Sequence, residues 1–177
     1  MTVLSIVRMG HPILARFADP VIDPTDPRLA ALVGDMTETM AAAGGIGLAA
    51  PQVAVGLQLV LFSVPGGRDE TGEGHPLTVL INPEITPLSD LVQEGYEACL
   101  SVPGLTGIVP RWHHIHYRGL DLQGRVIERE AKGFHARVVQ HECDHLWGRL
   151  YLSRMADLGS LAYREQLSDL AAEALDD

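Results

Sequence analysis

The stretch Gln140-His141-Glu142-Cys143-Asp144-His145-Leu146 constrains this chain more than any other, because it reads His-Glu-x-x-His within a helical pattern. Helical rotation of about 100° per residue puts positions i and i+4 on one face, one turn apart. His141 and His145 can therefore turn ring nitrogens toward a single metal ion. Glu142 lies on the same side, placed to take a proton from water at that ion. On an exposed helix the same residues would be only a solvated face. Here Val138, Val139, Leu146 and Trp147 flank them, so the helix is at least half buried. Buried imidazoles beside a carboxylate are costly unless something organises them.

The chain has 177 residues, 46% of them hydrophobic, which suits one domain spanning residues 1–177. No apolar run approaches the ~20 residues that cross a bilayer, so no membrane association is expected. Arg8, His11 and Pro12 interrupt the N-terminal stretch, which does not resemble a signal or transit peptide. Two cysteines, Cys99 and Cys143, make no disulfide framework and fit a reducing cytoplasm. Thirteen basic residues stand against 23 acidic ones, net −10. That balance opposes direct nucleic-acid binding, which depends on basic groups neutralising phosphates. The protein is expected to be a monomer.

Asp26-Pro27 is a helix-start signal. Leu29, Leu32, Val33, Met36 and Met40 then repeat at helical spacing until Gly44-Gly45, predicting a helix over about 27–43. Leu57–Val64, Leu77–Ile81, Glu84–Thr86, Val92–Ala98, His113–Asp121 and Arg125–Arg129 read as strands, with Gln123-Gly124 a hairpin turn. Gly66–Pro76 reads as an exposed loop. The motif helix is expected over 133–147, and a last helix over about 158–174 whose acidic end should fray. This order predicts an α+β fold, with mainly antiparallel sheets packed around a central helix carrying the motif.

A catalytic centre of this type takes three protein ligands and keeps one position open. Cys143, two residues beyond His141, points to nearly the opposite side of the helix and reads as a buried hydrophobe. Glu165 is the nearest downstream carboxylate. His113, His114 and His116 cluster on a strand pattern beside Trp112 and Tyr117, a setting usual for packing or surface histidines. Cys99 ends a strand pattern just before Pro103-Gly104. The residues alone leave these choices open.

Three segments narrow them. Gly45-Ile46-Gly47-Leu48-Ala49-Ala50-Pro51-Gln52 resembles the first motif of the peptide deformylases, Glu97 to Ser101 their second, and Gln140 to Leu146 their third. They occur in the family's order, and the resemblance runs from about Val3 through the motif helix. Arg8-Met9-Gly10-His11-Pro12 and Val109-Pro110-Arg111 are similar too.

The resemblance implies that Cys99, His141 and His145 hold one divalent metal ion, most often Fe2+ in the family, with Zn2+, Ni2+ or Co2+ as alternatives. It implies hydrolysis of the formyl group of N-formyl-methionyl peptides, by attack of metal-bound water assisted by Glu142. Gln52 and the backbone N–H of Leu100 would donate to the carbonyl oxygen. One such donor is typically worth ~3 kcal/mol. Gly47 would meet substrate through its backbone, Ile46 and Val138 would wall the methionine pocket, and Glu97 with Arg111 would fix the cysteine loop. Two departures stand out. Ala98 replaces the family's usual glycine in the second motif, which puts rate or specificity in doubt. Residues 168–177 carry four acids and no base, so ribosome contact through a basic tail is not expected. The competing readings are a metallopeptidase using Glu165, a peptide-binding paralogue with weak or altered activity, and an amidase with Cys99 as nucleophile.

Overall fold

The computed structural model describes residues 2–68 and 72–167. Helix α1 spans Pro27–Ala42, and the Asp26 carboxylate accepts from the Arg28 N–H at 2.8 Å, as a cap should. Eight strands follow or flank it: β1 Gly47–Ala49, β2 Leu59–Val64, β3 His75–Pro87, β4 Val92–Cys99, β5 Val102–Trp112, β6 His114–Leu120, β7 Val126–Lys132 and β8 Ala162–Tyr163. Helix α2, Gly133–Leu146, carries the motif. Five strands form one sheet in the order β1-β2-β3-β6-β7, and three form another, β4-β5-β8. Every paired strand is antiparallel. This is the expected α+β arrangement with the motif helix at its centre.

The continuous apolar run of β2 follows from burial on both faces. Leu59 and Leu61 pack toward Leu29, Val33, Met36 and Met40 of α1, while Val60 and Phe62 pack toward α2. The pleat sends alternate residues to opposite sides, so a strand between two helices must be apolar throughout. Ala136, Val139, Cys143 and Leu146, spaced along one face of α2, meet Val60, Phe62, Leu80, Ile115 and Tyr117. The opposite face of α2 is also buried, yet it holds Arg137, His141, Glu142, Asp144 and His145. That polar burial is tolerable only if those groups find partners.

Several expectations need correction. The segments 77–81 and 84–86 are one strand, β3, whose pairing with β6 slips between Ile81 and Glu84. At that slip Asn82 adopts φ +50° and clasps Val21 through both its side-chain oxygen and nitrogen. Strand β5 was not expected, because Pro103, Gly104, Gly107 and Pro110 all argue against a strand. Its outer edge pairs with β8 only at Leu105 and Thr106, so most of it owes no N–H on that side. The helix expected over 158–174 does not form at its start. Leu158–Ser160 is a 3-10 turn, Ala162–Tyr163 is β8, and only residues 164–167 are helical where the description ends. The rest of that expected helix and its fraying end lie outside the described residues.

Candidate metal centre

The site forms where α2, the β4–β5 turn and the segment after α1 converge. Cys99 ends β4 and pairs with Val102, so Leu100-Ser101 makes a tight turn that points the thiol back at α2. The ligand atoms of Cys99, His141 and His145 lie within 4.8 Å of one another, and all three residues are buried. Cys99 Sγ is 3.4 Å from His145 Nε2. His141 Nδ1 meets Glu97 Oε2 at 2.7 Å, which fixes the ring and leaves Nε2 facing the cluster. Two imidazoles and a thiol at this spacing fit one four-coordinate or five-coordinate ion.

Glu97 is the hub. Arg111 donates to both its oxygens at 2.8 and 2.9 Å, and Arg137 donates to Oε1 at 2.8 Å. Arg111 also donates to Asp144 at 2.5 Å, and Asp144 in turn accepts from Arg154. Burial pushes the Glu97 pKa up, but the bonds from Arg111 and His141 outweigh it and hold the carboxyl far below its ordinary range. Arg137 also donates to the backbone carbonyls of Gln93, Gly95 and Val109, tying α2 to the β4–β5 hairpin. Glu97 and Arg111 are thus the pair expected from sequence. Arg137, Asp144 and Arg154 were missed. Only the i,i+4 spacing of Arg137 and His141 hinted at a shared face.

Glu142 has the opposite surroundings. It is 5% exposed, its Oε2 has no hydrogen-bond partner among the described residues, and burial raises its pKa to about 7. Gly47 in β1 faces it so closely that a Cβ there would overlap the Glu142 carboxylate. The Gln52 Oε1 accepts from the Ala49 N–H at 2.8 Å, which turns Nε2 toward Ser101 Oγ at 3.2 Å and Cys99 Sγ at 3.4 Å. Ser101 was quoted in a motif but not expected as a site residue.

A cleft of about 590 Å³ opens onto these groups, lined among others by Ile46, Gly47, Gln52, Ala98, Leu100 and Val138. Ala98 avoids positive φ, so its methyl group brings no backbone strain. The other candidate ligands lie elsewhere. His114 and His116 pair with Glu130 and Glu128 across β6 and β7. Cys143 is fully buried on the apolar face of α2. Glu165 is exposed and absent from the ligand cluster.

Comparison with known proteins agrees with this geometry. Residues 3–160 match the family model described as polypeptide deformylase. Peptide deformylase 1 of Bordetella pertussis is 56% identical over 164 residues, covering 92% of this chain and 93% of its own. Peptide deformylase 2 of Pseudomonas putida is 53% identical over 165 residues, with 92% and 93% covered. Among solved structures, a class I type b peptide deformylase from Acinetobacter baumannii superposes with a TM-score of 0.82 at 35% identity, covering 88% of this chain and 100% of that one. A form of that enzyme with Met-Ala-Ser bound gives 0.79 at 37% identity, covering 87% and 99%. On the strength of the family match and of relatives above 50% identity along nearly the whole chain, this protein belongs to the peptide deformylase family.

Proposed function

We propose that the protein hydrolyses the formyl group of N-formyl-methionyl chains, releasing formate and a free amino terminus. In this reading Cys99, His141 and His145 hold one divalent ion, and Glu142 carries the proton. The observation that carries it is the meeting of three ligand atoms within 4.8 Å beside a buried carboxylate whose Oε2 has no partner among the described residues. A bound divalent ion supplies a Lewis acid and makes water nucleophilic near neutral pH.

The chain's own groups do the rest. Glu142 Oε2 accepts a proton from the attacking water and returns it to the amine nitrogen as the C–N bond breaks. The Gln52 side-chain N–H, aimed by its bond to Ala49, and the Leu100 backbone N–H donate to the carbonyl oxygen as charge builds on it. Gly47 leaves room for the Glu142 carboxylate and brings backbone close to substrate. Ile46 and Val138, both on the cleft wall, receive the methionine side chain. Glu97, held by Arg111, orients His141. The bound Met-Ala-Ser of the Acinetobacter relative supports a peptide that extends beyond methionine.

We take ferrous iron as the working ion because the family resemblance implies it; the thiolate and imidazole donors suit it as they would zinc, nickel or cobalt. We also take the chain as a single catalytic domain, monomeric and cytoplasmic. No described helix is long and apolar enough to cross a membrane. The acidic tail beyond residue 167, on which ribosome contact turns, lies outside the described residues. The metallopeptidase reading fails for want of Glu165 near the cluster, and an intact Glu142 has no use in a pure binder. The test is formate release from formyl-Met-Ala-Ser by aerobic and anaerobic preparations, with iron, zinc and nickel measured. No formate from any metal form defeats the proposal.

A further inference from the structure

The cleft has a second pole. Arg68 and Arg164 line it, and the proposed reaction gives neither a task. Arg68 stacks 4.1 Å over the ring of Phe134 in the first turn of α2. Seven residues separate Phe134 from His141, about 10 Å along a helix. Arg164 directly follows β8, whose Ala162 and Tyr163 pair with Thr106 and Leu105. Leu105 lies three residues beyond Val102, the partner of Cys99, again about 10 Å along a strand. Phe134 and Leu105, beside which the two arginines lie on the cleft, are thus each about 10 Å along their element from a ligand residue or its strand partner, one on the α2 side and one on the β5 side.

Among the described residues, the lining does not balance their charge: the acidic side chains on the cleft there are Glu97 and Glu142. Glu97 is already neutralised by Arg111 and Arg137, and Glu142 lies buried at the catalytic end. In a chain of net −10 with 13 basic residues, two exposed cations on this cleft run against the surface average. An extended peptide advances about 3.4 Å per residue. With the formyl carbon at the ligand cluster, the third residue of an extended substrate would lie about 10 Å out, the spacing at which Phe134 and Leu105 stand along their elements.

We propose that Arg164 and Arg68 make the cleft selective for a carboxylate at about the third residue of the formylated chain, a specificity that rests on the deformylase reading above. The arginines act on substrate capture, through Coulomb attraction and charge-assisted hydrogen bonds, and leave the chemical step alone. Position three of the substrate is thereby read by charge, whereas the methionine is read by apolar contact.

The experiment measures formate release from C-terminally amidated formyl-Met-Ala-Asp-Ala, formyl-Met-Ala-Asn-Ala and formyl-Met-Ala-Lys-Ala by the metal-loaded protein. At low ionic strength kcat/KM should fall in the order Asp, Asn, Lys, with Asp over Lys by about 10-fold and the difference lying in KM. The ratio should shrink toward unity near ~1 M salt. Arg164→Glu should bring the Asp to Lys ratio below one, and Arg68→Gln should lower it part of the way. Arginines that merely solubilise the surface would change all three peptides alike, and that result overturns the inference. So does a gain seen only when formyl-Met-Ala-Ser carries a free C-terminal carboxylate, since the arginines would then be reading a chain end that nascent chains do not offer. Turnover of the Asn peptide checks the underlying activity. No formate from it defeats the deformylase reading, whereas equal turnover of Asp and Lys peptides defeats the selectivity alone.

Discussion

On the β4 side of the cleft the Glu97 carboxylate accepts from Arg111, Arg137 and His141. On the α2 side Glu142 is just as buried, yet its Oε2 meets no donor among the described residues. The two acids share a chemistry and differ in their neighbours. Burial acts on both to raise the pKa, and only Glu97 has partners strong enough to reverse it. A carboxylate saturated with donors is fixed in place and in charge, and so can orient a ligand. A carboxylate left short of donors is free to take and give a proton. On the proposed reading, the molecule thus separates holding from reacting within one cleft.

Glu142→Gln cuts deepest into that contrast. Loss of the proposed proton carrier should lower kcat by about 10²- to 10⁴-fold, with metal content unchanged by elemental analysis. Because Oε2 has no donor to lose among the described residues, the melting temperature of the metal-free protein should hold or rise. A fall of several degrees would mean that Glu142 is tied into the fold as Glu97 is, and the contrast would be broken.

Glu97→Gln should behave the other way. It strips the charge that compensates Arg111 and Arg137, both largely buried. Removing one partner of such a cluster costs about 3–5 kcal/mol, read as a lower denaturant midpoint. Metal affinity should weaken by about 10- to 100-fold as His141 loses its orienting acceptor. Stability and affinity both unchanged would show that the network is ornamental.

Gly47→Ala sharpens the Glu142 half alone. The added methyl would occupy space held by the Glu142 carboxylate, and that carboxylate must turn aside. Displacing a catalytic group by about 1 Å can cost up to ~100-fold in rate, so kcat should fall with metal content intact. Retained kcat would mean that the carboxylate has other room.

How far the sequence alone reached follows from which interactions are local. Helix α2 and β2 were legible because their partners fall at helical spacing or form a continuous run. His141, Glu142 and His145 were legible for the same reason. Cys99 was not fixed by spacing, since 42 residues separate it from His141, and only the motif resemblance singled it out. Strand β5 escaped because Pro103 and Pro110 are permitted by an edge that β8 covers for two residues only. The pairing of β8 with β5 also explains the missed end of the chain. Leu158, Leu161 and Leu167 look helical by spacing, but Leu161 instead packs with Val102, Val109 and Tyr151. Arg137, Asp144 and Arg154 were invisible because a buried charge looks like a surface charge until its partners are known.

The smallest effect is expected at the one departure from the second motif. Ala98 follows the hub acid Glu97 and precedes Cys99, the proposed ligand, so a constraint there would fall on both halves of the cleft. Its backbone avoids the left-handed region, and its exposed methyl lines the open cleft. Glycine would therefore relieve no strain. Ala98→Gly should change kcat/KM on formyl-Met-Ala-Ser by less than about twofold and lower stability by roughly 0.5–1 kcal/mol, through the freedom glycine adds to the unfolded chain. A gain of tenfold or more would show that the methyl obstructs substrate, and Ala98 would then belong with the reacting side of the cleft rather than with the hairpin that supports it.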